Sequence, residues 1–283
     1  MARSRETIHK KRIVLGGELH AMKRLLRRSN LHTVCEEAHC PNIGECFSRR
    51  TATFMILGDV CTRSCGFCGV KSAQALKPPD PAEPAAIART IEELKIKHAV
   101  ITSVTRDDLP DEGASQFAKI IRALKNDEVT VEVLTPDFHA REGCLQTVCE
   151  AGPNIFNHNI ETVRRLTPLV RSGADYDRSL SVLKWVTGHY PTIIVKSGLM
   201  VGLGEKYEEV VETLTDLCNA SCKIVTVGQY LTPNKNKLPV CEYISQETFE
   251  KYKVIGEEIG INYVFSGRFV RSSYMAEAIG NNH

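Results

Sequence analysis

Three cysteines, Cys61, Cys65 and Cys68, stand on one short stretch, Gly58-Asp59-Val60-Cys61-Thr62-Arg63-Ser64-Cys65-Gly66-Phe67-Cys68-Gly69-Val70, directly after an apolar run. Three and then two intervening residues let three thiolates converge on one small inorganic body, and glycines on either side of Phe67-Cys68 let the backbone bend closely round it. A structural zinc site normally closes its tetrahedron with four protein ligands, usually from two paired knuckles; this stretch supplies three and has no partner knuckle. Three thiolates on a cube of four irons leave one iron open to a substrate or cofactor. Zinc, or three unrelated thiols buried as small hydrophobes, is the competing reading.

A second trio, Cys35, Cys40 and Cys46, lies just upstream in Leu31 to Cys46, with four and five residues between its members. This segment contains Pro41 and Gly44 and no sustained periodicity, so it is expected to be a loop shaped by what it binds, a second cluster candidate. Residues 17–29 before it carry Leu19, Met22, Leu25 and Leu26 at helical spacing with a stop at Ser29-Asn30, which predicts an amphipathic helix.

The elements that must position these thiols follow downstream. Short β-rich runs at Thr53 to Leu57, Ala99 to Ser103, Thr130 to Leu134, Ile155 to Asn157, Thr192 to Lys196 and Lys223 to Gln229 alternate with helical patterns at 84–96, 113–125, 142–150, 175–188, 206–219 and 245–259. That alternation predicts an α/β fold, a partial TIM-like barrel of six βα units. Its chemistry would sit at the C-terminal ends of the strands, and the first of those ends is the Cys61 stretch. Pro78 to Pro84 reads as a stiff connector into the first helix. Asn262 to Ser266, followed by Gly267 to Tyr274, reads as a strand and a return loop. The expected organisation is an N-terminal extension with the second cysteine trio (1–52), the barrel (53–242) and a C-terminal helix and extension (243–283).

With 283 residues, 42% hydrophobic and 25% charged, the chain suits one large soluble core. Eleven cysteines would mark disulfides in a small secreted protein, but this chain is long and shows no signal-peptide core; six of them cluster in ligand-like spacing, which favours a reducing compartment and metal binding. Of the rest, Cys218 and Cys222 are expected on one helical face, and Cys144, Cys149 and Cys241 as plain thiols. No apolar run reaches the length of a membrane span, so no membrane association is expected. A net charge of +2 gives no overall pull toward nucleic acid, although Arg3, Arg5, Lys10, Lys11, Arg12, Lys23, Arg24, Arg27 and Arg28 crowd the start. That arm is a solvated surface, a docking face for an acidic protein, or the remnant of an organelle-targeting segment. The expected location is the cytoplasm, or an organellar matrix in the last case.

The C-x3-C-x2-C pattern with an aromatic residue before its last cysteine resembles the radical S-adenosylmethionine (SAM) superfamily, whose open iron chelates SAM through its amino and carboxylate groups. The two trios together with Arg271-Ser272-Ser273-Tyr274 resemble the lipoyl synthase family. Ser103 to Asp111, Asn157 to Val163, Lys196 to Glu205 and Leu238-Pro239-Val240 agree with it. The resemblance implies two 4Fe-4S clusters and SAM as cofactors. It implies a sulfurtransferase reaction of lipoate biosynthesis, in which sulfur replaces one hydrogen at C6 and one at C8 of a protein-bound octanoyl group. Cys61, Cys65 and Cys68 would hold the catalytic cluster. Cys35, Cys40 and Cys46, with Ser273 as fourth ligand, would hold an auxiliary cluster that donates sulfur.

The resemblance further implies that Asn159 and Glu161 hold the SAM ribose, that Arg178 pairs with its carboxylate, that Phe67 lies along the adenine, and that Met200 and Val201 offer it backbone groups. Without the resemblance Asn159 and Glu161 read as helix-start caps, and Ser272 and Ser273 as loop serines. Implied partners are an octanoylated lipoyl domain of a dehydrogenase complex or the glycine-cleavage carrier protein, an electron donor of flavodoxin or ferredoxin type, and a cluster-rebuilding protein. Lys237, Arg268 and Glu112 depart from the family pattern, which has His, Pro and Gly there, and none is expected to touch a cluster ligand; Phe47 after Cys46 replaces the family's Trp, one aromatic wall for another. Sulfur insertion into another substrate, as in biotin synthases or methylthiotransferases, and a binding protein with two zinc knuckles are the alternatives.

Overall fold

The computed structural model describes residues 32–33, 42–74, 77–125 and 128–273. The basic arm, the helix expected at 17–29, Cys35, Cys40 and Tyr274 lie outside the described residues. In chain order come β1 (His32–Thr33), α1 (Ile43–Ser48), β2 (Thr51–Ile56), β3 (Val60–Cys61), β4 (Lys71–Ser72), α2 (Glu83–Glu93), β5 (His98–Ser103), α3 (Ala114–Ala123), β6 (Thr130–Leu134), α4 (Glu142–Glu150), β7 (Ile155–Asn157), α5 (Thr167–Val170), α6 (Tyr176–His189), β8 (Ile194–Val201), α7 (Tyr207–Asn219), β9 (Ile224–Gln229), α8 (Gln246–Ile259) and β10 (Tyr263–Gly267).

One sheet runs β1-β2-β5-β6-β7-β8-β9-β10, every neighbour parallel except β1, which pairs antiparallel with β2. The strands read as continuous apolar runs because both faces are covered, by one another's side chains inside and by helices outside. Every residue of β2 and of β9 is buried. The helices supply the outer layer from one stripe each: Phe117, Ile120 and Ile121 from α3, Leu180, Leu183 and Val186 from α6, Val210, Leu214 and Leu217 from α7. The starts of α6 and α8 are fixed locally, since Asp175 accepts from the Arg178 N–H and Ser245 from the Thr248 N–H.

The six predicted βα units are present, and Thr130–Leu134, Ile155–Asn157 and Glu142–Glu150 have the predicted bounds. A seventh parallel strand, β10, adds to the sheet beside β9. The strand predicted to end at Lys196 instead continues through Ser-Gly-Leu-Met to Val201, because Gly198 lies against Thr226 of β9 where a side chain would not fit. The segment expected to be a loop up to Cys46 contains the helix α1, with Cys46 in it. Cys218 and Cys222 do not share a helical face: α7 ends at Asn219, and the Cys222 N–H turns back to the Leu217 carbonyl. No disulfide joins two described cysteines, and no described helix is long and apolar enough to cross a membrane.

A charged cluster lies in the core. Glu132 of β6, 0% exposed, accepts from Lys196 of β8 at 2.9 and 3.2 Å, from His98 of β5 at 3.1 Å and from Asn157 of β7 at 3.0 Å. Burial alone would raise the Glu132 carboxyl, but the Lys196 ammonium and the His98 hydrogen bond hold it well below the usual range. Removing one partner strands a buried charge, so Lys196→Ala should cost about 3–5 kcal/mol in urea unfolding at neutral pH. A depressed carboxyl stabilises above its unfolded value and gives that stability up as pH falls. In the variant the orphaned carboxylate is relieved by protonation. The gap between wild type and variant should therefore narrow as pH drops through the ordinary carboxylate range; a gap independent of pH would remove Glu132 as its cause.

Candidate active site

The stretch from Cys61 to Cys68 leaves the C-terminal end of β2 and has little side-chain packing of its own. It is pinned from four neighbouring strand ends. Beyond β5, Thr105 accepts the Thr62 N–H at 3.0 Å and Asp107 takes both the Arg63 Nε at 2.9 Å and its Nη2 at 2.8 Å. Beyond β6, Asp137 takes the Arg63 Nη2 at 2.9 Å. Past β7, the Val170 carbonyl accepts the Gly66 N–H at 2.9 Å, and past β9 the Leu238 N–H donates to the Gly66 carbonyl at 3.0 Å. Gly66 is required by these approaches, since a Cβ there would meet Leu238 Cδ1 at 2.8 Å and the Leu169 carbonyl at 3.2 Å.

Cys61, Cys65 and Cys68 are thus half-buried on one cradle whose backbone also faces the sulfur: the Thr105 and Arg63 N–H groups donate to Cys61 Sγ at 3.3 and 3.4 Å. Burial pushes the Cys65 thiol up to about 11, with the charges of Cys68 and Glu161 adding to it, and burial raises Cys68 too. Three mutually repelling sulfurs sharing one pocket suit a cationic centre that holds them as thiolates, so the donor set fits an iron–sulfur cluster with three protein ligands. Phe67 packs half-buried against the core beside it.

Asn159 and Glu161 lie beyond β7 and are not helix caps. The Asn159 amide donates to Glu161 Oε1 at 3.1 Å, while its own Oδ1 is buried without a partner. Gly198 opposite makes the room, because a Cβ there would meet Asn159 Oδ1 at 3.0 Å. Glu161 adopts a left-handed backbone (φ 65°) and is tied to β8, its N–H donating to Gly198 O and its carbonyl accepting from the Met200 N–H, each at 2.9 Å. Burial raises the Glu161 carboxyl, against the Arg171 guanidinium and the Asn159 hydrogen bond. An orphaned acceptor beside a carboxylate over a missing side chain suits the vicinal hydroxyls of a ribose. Val201 is fully buried and its carbonyl accepts from the Tyr230 N–H at 2.8 Å, so part of the Met200-Val201 backbone is committed to the sheet.

Arg178, third residue of α6, donates through Nε to Asp137 at 2.8 Å and through Nη2 to Gly173 O at 2.6 Å. Sequence reasoning missed three neighbours. Arg63 lies within the cysteine spacing, Asp137 follows a predicted strand end, and buried Arg171 donates to Ile160 O and Ser179 Oγ. Only their position at strand ends could have pointed to them. His158 is buried and pushed down to about 4, chiefly by burial and by Arg171; its Nδ1 faces Thr135 O at 2.9 Å, so it stands neutral with Nε2 toward Ser179.

One departure from the family pattern does touch the cysteine trio: Lys237 Nζ donates to the Cys65 carbonyl at 3.1 Å, because the loop after β9 folds over the cradle. Glu112 occupies a left-handed position (φ 51°) suited to glycine and pairs with His139 at 2.9 Å and Arg141 at 3.0 Å. Asn42 Nδ2 donates to the Phe269 carbonyl at 2.6 Å, tying the start of α1 to the segment before Ser273. Gly228 lets that segment cross the end of β9, since a Cβ there would overlap the Val270 carbonyl. Cys46 and Ser273 are both half-buried; Cys35 and Cys40, expected to act with them, lie outside the described residues.

Residues 55–217 match the Radical SAM superfamily. The chain is 51% identical over 265 residues to a lipoyl synthase of Caldanaerobacter subterraneus subsp. tengcongensis, covering 93% of each, and 48% identical over 268 residues to one of Protochlamydia amoebophila, covering 93% of this chain and 83% of the other. Among solved structures it resembles Streptococcus suis SuiB bound to S-adenosylmethionine (TM-score 0.60, 11% identity, 80% of this chain and 53% of that one) and HydG, a maturase of the FeFe hydrogenase (TM-score 0.57, 15% identity, 91% and 73%). At these identities the likeness is one of fold. Gly66→Val should leave the barrel's circular dichroism unchanged but strip most of the iron from anaerobically reconstituted protein, because the β-branched side chain must displace Leu238 and the Leu169 backbone. Full iron content in that variant would show that the cradle does not need the close approach.

Proposed function

Because the chain belongs to the lipoyl synthase family of the radical SAM superfamily, we propose that it places one sulfur at C6 and one at C8 of a protein-bound octanoyl-lysyl group, taking that sulfur from an auxiliary 4Fe-4S cluster. Lipoyl formation, SAM and one 4Fe-4S cluster come with the family itself. The observation that carries the finer reading is the Asn42–Phe269 hydrogen bond, which supports a site built jointly by the Cys46 helix and the Ser273 segment, apart from the cradle of Cys61, Cys65 and Cys68.

An unactivated methylene has no acidic proton and no leaving group, so general acid–base catalysis has no purchase on it. The first cluster and SAM, when bound, supply a 5′-deoxyadenosyl radical able to take hydrogen from such a carbon. The protein's part is to hold, orient and keep water out. Cys61, Cys65 and Cys68 hold the cluster. Asn159 and Glu161 receive the ribose, Arg178 the SAM carboxylate through the guanidinium nitrogen that Asp137 and Gly173 leave over, and Phe67 and Met200 line the adenine, Val201 being buried in the sheet.

Cys35, Cys40 and Cys46 hold the auxiliary cluster with Ser273. A serine oxygen would be a harder and weaker partner for such iron than a thiolate, so Ser273 would be the most weakly held of the four ligand positions. The octanoyl group arrives on a lipoyl domain or the glycine-cleavage carrier, electrons from a flavodoxin or ferredoxin, and a separate protein restores the spent cluster.

The test is mass spectrometry of an octanoyl-lysyl peptide incubated with the protein, SAM and a strong reductant. Two added sulfurs are expected, and an unsulfurated product would overturn the reading. Cys65→Ala should release no 5′-deoxyadenosine. Cys46→Ala and Ser273→Ala should still release it yet make no lipoyl product, and Ser273→Cys should keep the auxiliary cluster while product falls. Normal lipoyl formation by Cys46→Ala would exclude the auxiliary site as the sulfur source.

A further inference from the structure

Asp137 stands between two guanidiniums that come from different parts of the barrel. Its Oδ1 takes Nη2 of Arg63, from within the cysteine cradle, at 2.9 Å, and its Oδ2 takes Nε of Arg178, from the start of α6, at 2.8 Å. The carboxylate is 0% exposed, Arg63 is 8% exposed and Arg178 25%. A buried carboxylate is costly unless paired in good geometry, and here every oxygen has a cationic donor. Burial alone would raise Asp137, yet the hydrogen bond and charge of Arg63, with His158 and Arg178, hold it far below the usual range. It is an anion whenever the protein is folded near neutral pH.

The turn that presents Asp137 is itself strained. Phe138, His139 and Ala140 follow it with φ of 45°, 47° and 54°, three consecutive non-glycine residues in the left-handed region, and Asp137 Oδ1 caps the His139 N–H at 3.3 Å. Each such residue costs on the order of 1–3 kcal/mol and persists only where the surroundings fix it. What that strain sets is one direction: Arg178 is held by Nε on one side and, through Nη2, by the Gly173 carbonyl on the other. Its remaining nitrogen, Nη1, is thereby aimed. Arg63 stays held by Asp107 if Asp137 is changed, whereas Arg178 has no other carboxylate partner among the described residues.

We propose that Asp137 is a positioning residue for SAM: by clamping Arg178 against Arg63 of the cysteine cradle, it fixes the distance between the guanidinium that would take the SAM carboxylate and the cysteines that would hold the cluster. This rests on the reading of Arg178 as the carboxylate's partner. Affinity for the amino-acid end then depends on one carboxylate that never touches SAM. A free arginine at that place would have to be ordered on binding, and the fixed aim of Nη1 that a charge-assisted hydrogen bond needs would be lost.

The experiment compares wild type, Asp137→Asn, Arg178→Gln and the double variant, each reconstituted with iron and sulfide. Iron content, circular dichroism and the change in the electron paramagnetic resonance spectrum of the reduced cluster on titration with SAM are recorded. Wild type should show a SAM-dependent spectral change; if it shows none, the SAM reading itself fails. Asp137→Asn should keep its iron and fold but bind SAM roughly ten- to a hundredfold more weakly, the range for losing a charge-assisted hydrogen bond. The double variant should be no weaker than Arg178→Gln alone, because both act through one guanidinium. A SAM affinity in Asp137→Asn equal to wild type, or additive losses in the double variant, would overturn the proposal. Should Asp137→Asn not fold, Asp137→Glu keeps the charge and moves it by one methylene. A weakened SAM titration with intact iron supports the clamp, and an unchanged one refutes it.

Discussion

The carboxylate of Glu132 is a single anion that four consecutive strands must agree on. His98, Asn157 and Lys196 reach it from β5, β7 and β8, and each can do so only in the register the ladders show, with Val100 opposite Glu132 and Lys196 opposite Asn157. A one-residue slip of any of these strands would turn its donor out of the interior and leave the charge unpaired. Apolar packing alone would tolerate such slips more readily, because the strand interiors are built from interchangeable Val and Ile. The polar centre therefore fixes register where hydrophobic burial only favours compactness, and with register it fixes which residues emerge at the strand ends.

Those ends carry a second charged system of a different kind. Arg63, Arg171 and Arg178 face Asp107, Asp137 and Glu161 in a half-open space, so the formal charges balance before any ligand enters. A balanced site can accept a zwitterionic group without a large change in net charge, and it discriminates by direction rather than by attraction. The thiols sit at its edge, held by backbone hydrogen bonds that would be worth little in water and more in this partly buried setting.

Much of the scaffold was legible because parallel strands covered on both faces leave an unmistakable apolar run, and the bounds of β6, β7 and α4 follow from the sequence. The end of β8 did not: Ser-Gly-Leu-Met looks like a loop until the absent side chain of Gly198 is set against Thr226. The cysteines announce themselves by spacing because ligands of one cluster must be close in the chain or in space, and three of them are close in both. Arg63, Asp137 and Arg171 carry no such mark. Each is one ionisable residue among many, and its role depends on loops from different strands meeting, which no local pattern encodes. Lys237 is the clearest case, since it reaches the Cys65 carbonyl across 172 residues of sequence.

The bond from Asn42 to Phe269 spans 227 residues, nearly the whole of the described chain. On a ribosome adding about 5–20 residues per second, its two ends appear roughly ten to fifty seconds apart. The three thiols of the cradle, by contrast, are made together. Asn42, at the start of the helix that carries Cys46, therefore waits through the synthesis of the barrel before the Phe269 carbonyl that accepts its amide exists. During that interval the helix bearing Cys46 lacks its tie to the far end of the chain, and a reducing surrounding keeps its thiol unoxidised until the last described strand, β10, has docked.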